Sequence, residues 1–410
     1  MKKFIVSLTA LSVFLFAGCF NPVFENIEKE VPLAKGKISG TVNSIVRFDD
    51  AAGAHLVCSN GATVFYKNCG ESRSLNGESV WISAKNNSFT GLAYSYEQGV
   101  YEGQYILKTA ADDKYVYVLT VEICDNGDGE NSPGSYHLYY ADVCPSENGE
   151  WAWTLVEGAQ AILNEGGTSV TVFSTNDVEV SNRKAFLRGS KNTIYKLDSK
   201  VEAAIEVSDI KMGDGSSYDE NKTIKSALSL SDSEVVFFTT LASVKGADCY
   251  FYAVDDTSSK AGTVYNNTDI FMKKNGEPAV QVYKPRSSNG KNNGKPVMSL
   301  AVTEDYLLFG CGEPTSSVTG DGGIYHLNLG KINSETPLSE PDAFVTNADA
   351  ALTQYYEVRS LLVENPEQLE LDASIYASIT FKTAGSSISV SFENKGLWAY
   401  YSERGNWNRE

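Results

Sequence analysis

A chain of 410 residues with 42% hydrophobic content can bury a sizeable core, and its 23 Tyr and 18 Phe favour strands. A formal net charge of -18, from 52 acidic against 34 basic residues, argues against nucleic acid as a partner, because a phosphate backbone is met by Lys and Arg. With three histidines and no Cys-x-x-Cys spacing, no zinc site or other cofactor is expected.

The chain opens on Lys2-Lys3, an apolar run over 4–16, and the small residues Ala17 and Gly18. That order is the pattern of an export signal and its cleavage point, and the run is too short for a stable bilayer span. Cys19 follows directly. The string Phe16-Ala17-Gly18-Cys19 resembles the lipobox of bacterial lipoproteins, with Phe16 at the position where that family usually has Leu. In tolerating this departure the chain is similar to spirochaetal lipoproteins. The resemblance implies cleavage of 1–18 and lipidation of Cys19, with palmitate-type chains holding the protein to a membrane of the cell envelope, periplasmic or surface-exposed. Residues 20–37, charged and carrying Pro22 and Pro32, read as a flexible tether after the lipidated Cys.

From Ile38 the chain repeats short apolar runs joined by Gly, Asn and Asp turns. Unit one has Ala54-His55-Leu56-Val57-Cys58, an Asn60-Gly61 turn and a run over 62–66, a hairpin signal. Unit two has Tyr105-Ile106-Leu107, a turn at Ala111-Asp112-Asp113, and runs over 115–123 and 136–140. Unit three covers 169–200, with Ala185-Phe186-Leu187 before Thr193-Ile194-Tyr195. Unit four places runs at 227–230, 235–239 and 250–254.

Unit five, 297–329, is the clearest copy. Met298, Leu300 and Val302 alternate with Ser299, Ala301 and Thr303, the period of a two-faced strand. Glu304-Asp305 makes the turn, and Tyr306-Leu307-Leu308-Phe309 is apolar without a break, as in a strand covered on both faces. Ile324, Tyr325, Leu327 and Leu329 supply a third strand beyond a Gly-rich loop. Unit six has runs at 377–381, 388–392 and 397–401.

Tyr66, Tyr140, Tyr195, Tyr252, Tyr325 and Tyr400 mark six third strands. After three of them an aromatic pair leads through a polar turn to Trp: Phe65-Tyr66 to Trp81, Tyr139-Tyr140 to Trp151 and Trp153, Tyr400-Tyr401 to Trp407. Such a Trp fits a fourth, outer strand. The pattern predicts an all-β chain, with 38–410 a single β-propeller of about six blades built from four-stranded antiparallel sheets. A seventh blade would lie in 200–224 or 345–371. The unit resembles propeller blades in general, but without the Gly-His and Trp-Asp pairs of the WD type. Two tandem β-sandwiches and an irregular β-solenoid are the competing architectures. The N-terminal strand over 38–46 is expected to close the ring beside Trp407.

Cys58, Cys69, Cys124, Cys144, Cys249 and Cys311 are an even number, which permits disulfides in an exported protein and assigns no pair. His55, His137 and His326 read as strand residues. The acidic Gly loops at 125–130, 213–215 and 320–322 lack EF-hand spacing and read as solvated turns. No Gly-x-Ser-x-Gly occurs, and no catalytic residue is expected; a carboxylate pair for glycan hydrolysis would be set by space, not by sequence. The functional expectation is a membrane-anchored, non-enzymatic binding or scaffolding protein of the cell envelope, with a protein or glycan partner. An envelope enzyme acting on glycans at the propeller channel and an assembly factor for outer-membrane proteins are the alternatives.

Overall fold

The computed structural model describes residues 38–205, apart from 39, 41, 43, 72–79, 85–92, 96–99, 126–130, 167–169, 175–182 and 190–192. Beyond 205 it describes the strands, a 3-10 turn at Leu329–Lys331 and residue 410.

The described residues are all-β apart from that turn and one short helix, and the larger sheets follow one another along the chain. The first sheet joins β1 (Ile45–Asp50), β2 (Gly53–Ser59), β3 (Val64–Asn68) and β4 (Ile82–Ser83) in that order. The second joins β5 (Ala93–Ser95), β6 (Val100–Ala111), β7 (Val116–Asp125), β8 (Asn131–Ala141) and β9 (Thr154–Leu155). Helix α1 (Ala159–Gly166) leads into the third: β10 (Thr171–Ser174), β11 (Ala185–Arg188), β12 (Ile194–Asp198) and β13 (Lys200–Ile205).

The fourth sheet holds β14 (Lys222–Lys225), β15 (Phe238–Thr239), β16 (Cys249–Asp256), β17 (Asn267–Lys274) and β18 (Val280–Tyr283). A small hairpin of β19 (Ser287–Ser288) and β20 (Lys291–Asn292) precedes the fifth. That sheet is β21 (Val297–Val302), β22 (Tyr306–Cys311), β23 (Gly323–Asn328) and β24 (Asp342–Ala343). The sixth is β25 (Tyr356–Val363), β26 (Ile375–Phe381), β27 (Lys395–Tyr401) and β28 (Asn406–Arg409).

Local chemistry explains the hairpins. Between β2 and β3, the Asn60 side-chain oxygen accepts from the Ala62 and Thr63 N–H groups at 3.2 and 3.0 Å, and Gly61 takes φ +93°, which L side chains rarely adopt. The Trp-marked outer strands occur as expected. Tyr66 pairs with Ile82 beside Trp81, Tyr140 with Thr154 beside Trp153, and Tyr400 with Trp407 itself. Trp81, Trp151 and Trp153 are buried.

Three expectations change. In unit four Tyr252 lies on β16, the second strand in order, and the third is β17. Two short pieces share the position before it: β14 pairs with Ala253–Asp256 and β15 with Phe251 and Tyr250. β17 went unread because Ile270-Phe271-Met272 is a short apolar core between polar ends. In unit six the first strand is β25, inside the 345–371 segment that was expected to hide a further blade; the run at 388–392 lies outside the described residues. The other segment, 200–224, likewise supplies β13 and part of β14.

Last, the N-terminal strand starts only at Ile45 and pairs with β2, while the residues before it reach the end of β28, where the Ile38 N–H donates to the Glu410 carbonyl at 3.0 Å.

Neighbouring sheets meet through apolar faces. Phe48, Val57 and Val64 of the first pack with Ile106, Val118 and Trp153 of the second. Ala110, Tyr117 and Leu119 of the second pack with Val172 and Leu187 of the third, and Leu163 of α1 joins the same cluster. Tyr283 meets Phe309 across the fourth and fifth, their ring centroids 5.2 Å apart. Ser299 Oγ donates to the Val358 carbonyl across the fifth and sixth at 2.9 Å. Leu362, Leu397 and Ala399 of the sixth share a cluster with Leu56 and Trp81 of the first, to which Ile38 and Val42 add. At about 1.5–3 kcal/mol per fully buried large apolar side chain, each of these apolar clusters contributes several kcal/mol. Residues 206–221, between the third and fourth sheets, lie outside the described residues.

Candidate functional site

Strand alternation at the end of β1 sends two adjacent carboxylates to opposite faces. Asp50 shares its face with Val46 and Phe48 and turns toward the second sheet; Asp49 turns away with Arg47.

Asp50 organises the β1–β2 turn. Its Oδ1 accepts from the Ala52 and Gly53 N–H groups at 2.7 and 3.1 Å and lies 3.0 Å from His55 Nε2. Its Oδ2 accepts from the Cys144 N–H at 2.8 Å, across the seam to the residues after β8. Burial works against the charged carboxylate, but the Cys144 and Ala52 N–H groups and the His55 ring outweigh it and hold the carboxyl below its usual range.

His55 is 4% exposed, with its ring edge-on to Tyr66 at 6.1 Å. Because Nε2 faces a carboxylate, that nitrogen carries the hydrogen in the neutral ring, and Nδ1 keeps its lone pair. Nδ1 is buried and has no hydrogen-bond partner. Cys144 is a buried free thiol. Burial, and then the Asp50 charge, push it far above the ordinary thiol range. Tyr66 donates its hydroxyl to the Pro145 carbonyl at 2.5 Å, and burial first, then the Cys144 and Glu147 charges, push it up to about 12.

The donor atoms of Asp50, His55 and Cys144 all lie within 4.8 Å of one another. Thiol, imidazole and carboxylate in that order resemble a nucleophile, its base and an orienting group. A nucleophile must be a thiolate within reach of a substrate, and burial holds Cys144 protonated and out of reach. As donors, the same sulfur, nitrogen and oxygen suit a thiophilic cation.

On the opposite face Asp49 is paired with Arg183, which comes from just before β11, so a residue of the third sheet's strand connection reaches the first sheet. Arg47 Nη2 lies 3.4 Å from Asp49 Oδ1. Arg183 is 2% exposed, and burial lowers its pKa against the pull of Asp49.

Ala17, Gly18 and Cys19 lie outside the described residues, as do 126–130 and the loops at 213–215 and 320–322. Cys58 and Cys144 are buried free thiols. His137 Nε2 is 2.8 Å from Glu122 Oε1 on the neighbouring strand, and His326 sits edge-on to Tyr306 at 5.2 Å, so both are half-buried strand residues as expected. His55 differs, being buried and held by Asp50. Sequence reasoning missed Asp50 and Cys144; the only local signal was an Asp-Asp pair before Ala-Ala-Gly, which reads as a turn. Among the described residues no helix is long and apolar enough to cross a membrane.

No protein family matches the sequence, and no curated protein does. Solved structures are similar at a loose level. A mutant of an α-L-arabinofuranosidase from Fusarium graminearum, in complex with an iminosugar inhibitor, is 10% identical with a TM-score of 0.37, over 90% of this chain and 96% of that one. A Trichoderma reesei protein of Carbohydrate-Active Enzymes Family AA12, in a calcium structure, is 11% identical with a TM-score of 0.34, over 90% and 94%. Likeness at this level carries no inference about activity.

Proposed function

We propose that this chain is a lipoprotein of the cell envelope, anchored through Cys19, whose body is a six-bladed β-propeller that works by binding a protein or glycan partner and not by catalysis. The observation that carries the reading is that the first sheet packs against both the second and the sixth, as the first blade of a closed ring would. A ring removes exposed sheet edges and presents loops on two rims, a suitable platform for recognition. The gathered side chains are buried within the seam, with the imidazole and carboxylate bonded to each other and the carboxylate to the Cys144 N–H, which suits a structural part better than a reaction centre. Residues 20–37 would hold the body off the membrane.

The test has two arms. Cys19→Ala should abolish acyl labelling and release the protein from the membrane fraction; a variant that still carries lipid removes the anchor from the proposal. Crosslinking in intact envelopes, with the lipidated protein as bait, should recover one reproducible partner. Turnover of envelope glycans by the purified protein, with no partner recovered, would overturn the binding reading.

A further inference from the structure

We propose that Asp50, His55 and Cys144 form a binding site for a thiophilic divalent cation of the zinc class, one that staples the first sheet to the second. The inference is independent of the binding reading above. Three donors of different chemistry converge within 4.8 Å: a carboxylate oxygen, an imidazole nitrogen and a thiol sulfur. They come from both sides of a seam, Asp50 and His55 flanking the β1–β2 turn and Cys144 following β8. Sulfur together with nitrogen selects zinc-like ions, whereas calcium and magnesium take sets made of oxygen.

The second observation is the spacing and burial of the donors. Asp50 Oδ1 lies 3.0 Å from His55 Nε2, close to the separation of two ligands on one tetrahedral zinc. A cation there would replace the proton the two now share, with the ring hydrogen moving to Nδ1. His55 is 4% exposed and Cys144 8%.

Tetrahedral zinc geometry sets donors about 3.4 Å apart, so binding would draw the three inward by up to about 1.4 Å. That movement tightens the turn after β1 against the segment after β8. Cys144 would bind as thiolate, its proton passing to solvent as the sulfur–metal bond forms. Three protein donors leave a fourth position for water.

The full chain, stripped by a chelator and titrated with cobalt(II), should develop a cobalt–thiolate charge-transfer band that saturates at one equivalent and is displaced by zinc(II). Cys144→Ser should abolish the band, and Cys58→Ser should keep it. His55→Gln keeps an amide donor for Asp50 but lacks the imidazole nitrogen, and should weaken cobalt binding roughly tenfold or more. Zinc-edge X-ray absorption on the wild type needs no variant to fold, and should show one sulfur among nitrogen and oxygen scatterers. A wild type without the band, a band that survives Cys144→Ser, or a zinc spectrum without sulfur would overturn the proposal.

Discussion

The Ile38 N–H donates to the Glu410 carbonyl at 3.0 Å, joining residues from opposite ends of the described chain. Glu410 is fully buried; its N–H donates to the Leu397 carbonyl at 2.9 Å, and its side chain accepts from Trp81 Nε1 at 2.9 Å. The junction of the first and sixth sheets is therefore closed by backbone and side-chain bonds as well as by apolar contact.

Trp81→Phe keeps most of the ring's burial but leaves the Glu410 carboxylate without its indole donor. We expect a loss of about 1.5–3 kcal/mol, the worth of a buried hydrogen bond to a charged group, read in chemical denaturation. Deleting 396–410 removes β28 and nearly all of β27, exposing the edge of β26 and the apolar face of the first sheet; the product should aggregate. A soluble truncation with an unchanged thermal transition would show that this seam is dispensable.

Gly310 sits where the fifth and sixth sheets meet. A Cβ there would lie 2.5 Å from Val358 Cγ1 and collide with Ser299 Oγ, the hydroxyl that bonds the Val358 carbonyl. Gly310→Ala should cost about 1–3 kcal/mol by overpacking. Gly70→Ala, where no atom crowds the added carbon but φ is +81°, reports backbone strain alone and should cost less.

Asp112 gives a pH signature. It is 3% exposed and accepts from the Tyr117 hydroxyl at 2.7 Å and from the Lys114 and Tyr115 N–H groups at 2.8 and 2.7 Å. Burial pushes its carboxyl up despite those donors, so between the ordinary carboxylate range and its folded value the native state binds more protons than the unfolded one. Stability contributed at this position should fall as pH rises through that window. Asp112→Asn should flatten the dependence, and the wild-type advantage over the variant should shrink on going from pH 4 to pH 7. An advantage that grows over that range would contradict the assignment.

Arg183 and Asp49 form an ion pair with the arginine almost wholly buried. Arg183→Ala would leave Asp49 with Arg47 as its described partner, at 3.4 Å. We expect a cost near the lower end of about 3–5 kcal/mol. Adding Asp49→Ala should recover part of it, and strict additivity of the two would show that the pair is not coupled.

Much of the architecture was legible because strands announce themselves locally. Apolar alternation and the turn residues between runs are written into neighbouring positions, so 297–329 was read strand by strand. The outer strands were legible through Trp81, Trp153 and Trp407, since a large aromatic after a polar turn must be buried against something. β17 and β25 escaped, the one for its polar ends and the other because it stood in a long segment between two units. The trio of Asp50, His55 and Cys144 was not legible at all. Asp50 and His55 are five residues apart, only His55 falling in a run read as a strand, while Cys144 lies ninety-four residues beyond Asp50. Their meeting depends on which face each strand turns inward and on how the first two sheets pack. Sequence alone fixes the periodicity of each strand; the approach of distant side chains is decided only when whole sheets bury their faces against each other.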